Sequence, residues 1–272
     1  MPRLGSSPFA FPDFSGATRR LILINLGAFF ALLVTQLALR AQAGDLAAAL
    51  SLLPGAFVHG SLWQPLTYSF IHPTLLGTLF ELLSLWFLAG FLETQGHSAS
   101  WVIGLYAVSV LATAAAALAI YLAGGTLGYA VGGFALYGCF GGIFGLLAAI
   151  GLLYGDVEFL MFFLIGIKAR YMVVIFALVS IAMLFGEQRM YAFAELGGAL
   201  GGLLWVRTAP RRGISLMMSE RWYGLRNRYY RWKRRRAARK FEVYMRRQGR
   251  TVRFDGQGRQ IDEDHDDKSR WN

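Results

Sequence analysis

Two carboxylates and one thiol stand out among the side chains of this chain's long apolar stretches. Glu81 interrupts the otherwise charge-free run Ile71–Leu92, and Glu195 interrupts Met190–Val206. Cys139, the single cysteine, lies in a third run, Phe134–Gly155. A carboxylate at membrane depth costs about 3 kcal/mol, so it is expected to face a bundle interior and marks a candidate functional site. The plainer expectation is a neutral carboxyl hydrogen-bonded to a neighbouring helix. One cysteine excludes a disulfide framework and any Cys-based zinc or iron–sulfur centre, and the sequence calls for no metal and no cofactor. Ser84, Ser109 and Ser180 also lie in apolar runs, but in no nucleophile motif, and read as packing hydroxyls.

The elements that must position these groups follow from composition. The chain has 272 residues, 56% of them apolar and 16% charged, and its mean hydropathy is +0.44. An average soluble domain carries about 25% charged residues, so the composition argues against an ordinary soluble enzyme and against a disordered chain. Six apolar runs are expected to be membrane helices: Leu21–Leu39, Ile71–Leu92, Trp101–Ala123, Phe134–Gly155, Tyr171–Gly186 and Met190–Val206. The fifth is short, but Lys168 and Arg170 can snorkel. No run has the form of a cleaved signal peptide. The fold class is therefore all-α, a six-helix membrane bundle.

Charge sets the expected orientation. Of the 27 Lys and Arg in a chain of net charge +11, 19 lie from Thr208 to Asn272, and the first 207 residues are neutral overall. Arg3, Arg19, Arg20, Lys168, Arg170 and Arg207 all fall on one side of an alternating bundle, with the basic tail. The positive-inside rule makes that side cytoplasmic, with both termini there, in a membrane of the prokaryotic cytoplasmic type. The expected organisation is 1–18 as an N-terminal segment, 19–207 as the membrane domain, 208–254 as a basic amphipathic helix and 255–272 as an acidic, disordered tail. From Leu46 to Phe80 the chain has no charge, so the loop between the first two runs is expected to lie in the membrane interface.

Gly138, Gly141, Gly142 and Gly145 crowd the fourth run, and Gly197, Gly198, Gly201 and Gly202 the sixth. The spacings Gly141 to Gly145 and Gly198 to Gly202 suit backbone-to-backbone packing of those two helices.

At this point the chain resembles the rhomboid family of intramembrane serine proteases, from about Arg19 to Arg207. Trp63-Gln64-Pro65-Leu66-Thr67-Tyr68-Ser69-Phe70-Ile71-His72 is similar to the family's WRxxTxxFxH stretch ahead of the second span. Gly90-Phe91-Leu92-Glu93 with Gly96 resembles the turn after it. Lys168-Ala169-Arg170-Tyr171 resembles the start of the fifth span. Gly138-Cys139-Phe140-Gly141 stands where the family has GxSG. Glu195-Leu196-Gly197-Gly198-Ala199-Leu200 stands where it has H-L-G-G-A-L. The resemblance implies a serine at position 140 and a histidine at position 195; this chain has Phe140 and Glu195. The family's two oxyanion helpers fall on Gly77 and Glu81. Nucleophile, base and helpers are replaced together, so no catalytic residue is expected.

The resemblance then implies a pseudoprotease scaffold that binds transmembrane client proteins without cutting them. Trp63, Gly138, Gly141, Gly145, Gly198 and Gly202 are its client-binding or structural residues. The alternatives are an active rhomboid-type endopeptidase and a proton-linked transporter using Glu81 and Glu195. Cys139 is a poor substitute nucleophile, because a neighbouring helix position points about 100° away and no histidine is expected near it. His59 and His72 are assigned to the outer loop.

In the tail, Trp222, Leu225, Tyr229, Trp232, Phe241 and Tyr244 recur at helical spacings between basic residues that include Arg234, Arg235, Arg236, Arg239 and Lys240. Such a helix is expected to lie on anionic lipid of the bilayer. RNA or ribosome contact through phosphates and base stacking is the weaker alternative.

Overall fold

The computed structural model describes residues 12–38, 40–126, 134–161, 165–186, 189–209 and 214–249. The expected acidic tail, 255–272, lies outside them, as does most of the N-terminal segment. The chain divides into two compact units, Met1–Ile214 and Ser215–Asn272.

Among the described residues, the first unit is helical apart from one hairpin and an isolated antiparallel bridge between Leu52 and Leu136. Helix α1 spans Gly16–Ala38, α5 Leu75–Thr94, α6 Ala99–Thr126, α7 Phe140–Leu153, α8 Ala169–Met183 and α9 Arg189–Thr208. These match the six apolar runs in order. Gly16–Ala38, Leu75–Thr94 and Ala99–Gly124 are long and apolar enough to cross a membrane by length and composition; at about 1.5 Å per residue each covers a hydrocarbon core of roughly 30 Å. Helices α7 and α8 are shorter apolar helices.

Helix α1 starts where its unsatisfied N–H groups find a distant acceptor. Glu93, at the end of α5, accepts from the backbone N–H groups of Ala17 at 2.6 Å and Thr18 at 3.1 Å, and from the Thr18 hydroxyl at 2.7 Å. Helix α9 lies against α6 and α7, and α7 against α5 and α8. Leu105, Leu146, Ala149, Ile150 and Ala194 belong to the buried core between them. The outer face of α1, with Leu23, Ile24, Phe30, Val34 and Leu37, is exposed.

The uncharged loop is not irregular chain. It folds as α2 (Arg40–Leu50), α3 (Pro54–Val58), α4 (Gln64–Thr67) and a 3-10 turn at Tyr68–Phe70. Side chains replace the missing ladder hydrogen bonds. Trp63 Nε1 donates to the Ala49 carbonyl at 3.0 Å, Thr67 Oγ1 to Leu50 at 2.7 Å and Tyr68 Oη to Val110 on α6 at 2.8 Å. Gln64 Oε1 accepts from Leu53 N at 3.1 Å. Val58, Leu62, Trp63 and Leu66 point outward, each more than half exposed.

A two-stranded antiparallel hairpin, β1 (Glu158–Met161) and β2 (Ile165–Lys168), joins α7 to α8, with Glu158 opposite Lys168. The sequence reading gave a plain loop there, because the apolar residues of both strands merge with the flanking runs and hide the period-2 alternation.

Helix α10, Ile214–Arg247, makes up the described part of the second unit from Ser215 on, apart from the two residues after it.

Candidate functional site

The chain enters α7 through a tight turn. Gly138 has φ +88°, a left-handed conformation that favours glycine, and a Cβ there would meet the Glu81 carboxylate oxygen at 2.9 Å. The turn presents the first residue of α7, Phe140, to a small cleft lined by Tyr68, Thr113, Tyr137, Phe140, Tyr191 and Glu195, among others. The Phe140 ring is 42% exposed. No histidine and no cysteine line the cleft among the described residues.

Three of its hydroxyls donate to backbone carbonyls. Tyr68 donates to Val110, Thr113 Oγ1 to Ser109 at 2.9 Å and Tyr191 Oη to Ala135 at 2.8 Å. Its carboxylate is committed too: Glu195 Oε2 accepts from Ser180 Oγ on α8 at 2.8 Å. Ser180 is buried.

Behind the cleft lies a buried polar chain. Asn25 of α1 donates through Nδ2 to the Leu21 carbonyl at 2.8 Å, and its Oδ1 is 3.0 Å from His72 Nε2. His72 Nδ1 lies 3.2 Å from Glu81 Oε2, without the alignment of a hydrogen bond. The same Glu81 oxygen accepts from the backbone N–H of Cys139 at 2.7 Å. The imidazole, the carboxylate and the Cys139 thiol each place a donor atom within 4.8 Å of the other two, and all three residues are buried.

This corrects two expectations. His72 is not an outer-loop residue but part of the core, and Cys139 does have a histidine close by. A backbone N–H at the turn, Cys139 N, is not free for an oxyanion, because Glu81 already takes it. Gly77 sits on the first turn of α5, where an added Cβ would meet the Thr74 hydroxyl at 2.6 Å.

The glycines of α7 and α9 meet. A Cβ added to Gly198 would land on the backbone of Gly141, and one added to Gly202 on the backbone of Gly145. Gly197 and Gly201 face Ala112 of α6 in the same way. Close approach of three helices brings Glu195 of α9 beside Phe140 of α7. Trp63 lies apart from the cleft lining, holding the loop to α2 through Ala49.

In α10, taken by itself, Arg234, Arg235, Arg236 and Arg239 are exposed; the Lys240 side chain lies outside the described residues. Tyr229, Tyr230, Trp232 and Tyr244 are exposed as well. The Arg226 guanidinium sits over the Tyr223 ring at 4.9 Å and Arg236 over Trp232 at 5.4 Å, the geometry of a cation–π contact.

Asn25, and the pairing of Ser180 with Glu195, are what sequence reasoning missed. The available signal for Asn25 was its status as an amide in a charge-free run; its partner is 47 residues away, a distance no local pattern encodes.

Among curated proteins, none matches the chain. A family model for the rhomboid domain matches residues 59–212, more than half of the chain, and takes in α5 to α9, both glycine clusters and the cleft. With its apolar helices and this match, the chain is an integral membrane protein and belongs to the rhomboid family.

Proposed function

We propose that this protein is a rhomboid pseudoprotease that binds transmembrane helices of client proteins without cleaving them. The observation that carries the reading is the cleft itself, where position 140 holds a phenyl ring and the carboxylate of Glu195 is engaged by Ser180. Serine-type cleavage needs a hydroxyl or thiol hydrogen-bonded to a base and open to the scissile carbonyl. Ser180 has the base-like partner but is 1% exposed and does not line the cleft. Glu81, if ionised, would repel an oxyanion.

Client contact has apolar surface to use. Leu75, Leu76, Leu79 and Phe80 on α5 and Leu178 and Val179 on α8 are each more than half exposed. The bundle orientation that fits the Lys/Arg bias puts both termini in the cytoplasm, with α10 lying on the anionic lipid of that leaflet. Exposed arginines interleaved with exposed aromatic rings support this placement of α10.

Photo-crosslinking tests the reading. A photoreactive side chain at position 140, in native membranes, is expected to capture intact transmembrane proteins. Capture of cleaved fragments alone would refute it.

A further inference from the structure

We propose that His72, Glu81 and Cys139 form a buried site for one divalent transition-metal ion, zinc by preference. The three residues come from separate elements: His72 follows the 3-10 turn, Glu81 is on α5, and Cys139 is the residue before α7. Their donor atoms converge within 4.8 Å. Imidazole nitrogen, carboxylate oxygen and thiolate sulfur are the three protein ligand types of zinc. The expectation that one cysteine excludes every Cys-based zinc site holds for multi-thiolate centres; it does not reckon with a mixed set of one thiolate, one imidazole and one carboxylate.

The hydrogen-bond pattern points to a cation. A carbonyl only accepts, so the Asn25 atom facing Leu21 must be the amide nitrogen, and the atom facing His72 is Oδ1. His72 Nε2 therefore carries the hydrogen. In the neutral imidazole, Nδ1 then carries a lone pair 3.2 Å from Glu81 Oε2 but off the straight line to it. Nδ1 is buried and has no hydrogen-bond partner, and the facing oxygen already accepts from Cys139 N. Two lone-pair-bearing atoms thus sit 3.2 Å apart in the buried interior, and a positive charge within reach of both, off the line that joins them, makes the contact favourable. The Nε2–H···Oδ1 bond also matches the outer contact that a metal-bound histidine makes to fix its tautomer and ring orientation.

Geometry and charge favour a metal ion over a bare proton. Ligands about 2.0–2.1 Å from a tetrahedral zinc lie roughly 3.3 Å apart, close to the observed Nδ1–Oε2 distance. A divalent ion bound to one thiolate, one carboxylate and one neutral imidazole sums to zero charge, which a low-dielectric interior tolerates. Three protein ligands leave a fourth position for water. The bound ion would clamp the start of α7 to α5, fixing the turn that presents Phe140. This proposal stands independently of whether clients are bound or cleaved.

The test uses the full-length protein, purified in detergent without a polyhistidine tag and loaded with zinc or with cobalt(II). The expected result is about one equivalent of zinc per chain after gel filtration and a sulfur-to-cobalt charge-transfer absorption in the near-ultraviolet. Cys139→Ser, a small change at a buried site, is expected to abolish that band. Asn25→Ala, which leaves all three ligands in place, is expected to weaken zinc binding about 10- to 100-fold. Folded wild-type protein that shows no cobalt–thiolate band would overturn the proposal. So would a zinc content that His72→Ala leaves unchanged. The wild-type measurement decides the matter even where a variant fails to fold.

Discussion

The Ser180 hydroxyl donates to Glu195 Oε2 at 2.8 Å and bridges α8 to α9 at the position where the rhomboid pattern has its base. The bond occupies Glu195 with a buried partner instead of with residue 140. It converts a position used elsewhere in the family for proton transfer into a helix–helix contact.

Removing one side of that contact strands the other. Ser180→Ala is expected to destabilise the bundle by about 1–3 kcal/mol, the cost of a polar group left unsatisfied. Glu195→Gln keeps an acceptor for Ser180 and is expected to cost less. Thermal unfolding of both variants in the same detergent checks the order.

The glycine contacts predict a steep contrast within one residue type. Gly202→Ala places a methyl group on the Gly145 backbone and is expected to cost about 1–3 kcal/mol or more. Gly27→Ala, on the exposed face of α1 with nothing within 4 Å of the new Cβ, is expected to be neutral or to stabilise by up to about 1 kcal/mol. Thermal stability of the two purified variants measures the contrast.

Glu93 reaches back to start α1. Glu93→Ala removes the acceptor for two backbone N–H groups and one hydroxyl and is expected to cost about 1–2 kcal/mol, the range for losing a helix cap. Hydrogen exchange should show faster exchange confined to the first turn of α1. Exchange unchanged at Ala17 and Thr18 would contradict the assignment.

The basic helix predicts a salt-dependent lipid affinity. Each Lys or Arg near an anionic surface contributes about 1 kcal/mol, so replacing Arg234, Arg235, Arg236 and Arg239 with Gln in a 214–249 peptide is expected to weaken binding to anionic vesicles about 10³-fold. Neutral vesicles should bind both peptides weakly. Displacement from anionic vesicles by an equal charge of RNA would favour a nucleic-acid partner instead.

Much of the architecture was legible because it is written in local chemistry. Charge-free runs of helical length gave six helices in the right order, and the small-residue spacing named the α7–α9 contact. The site was legible only as positions. Phe140 and Glu195 could be placed against a motif, but Ser180 reaches Glu195 across 15 residues of chain, His72 reaches Asn25 across 47 and Cys139 reaches Glu81 across 58, through packing that no periodicity records. His72 was misplaced for the same reason: the uncharged loop folds inward after Tyr68 and carries the imidazole into the core. The β1–β2 hairpin was hidden by apolar neighbours that made strand and helix look alike.

The central claim is that the cleft holds but does not cut. It is tested most directly by reconstituting the purified wild-type protein in lipid with a panel of single-span transmembrane proteins and measuring cleavage within the span, beside the Phe140→Ser, Glu195→His double variant. The account predicts no product from the wild type above the protein-free baseline, together with retained binding. Intramembrane cleavage by the wild type would contradict it.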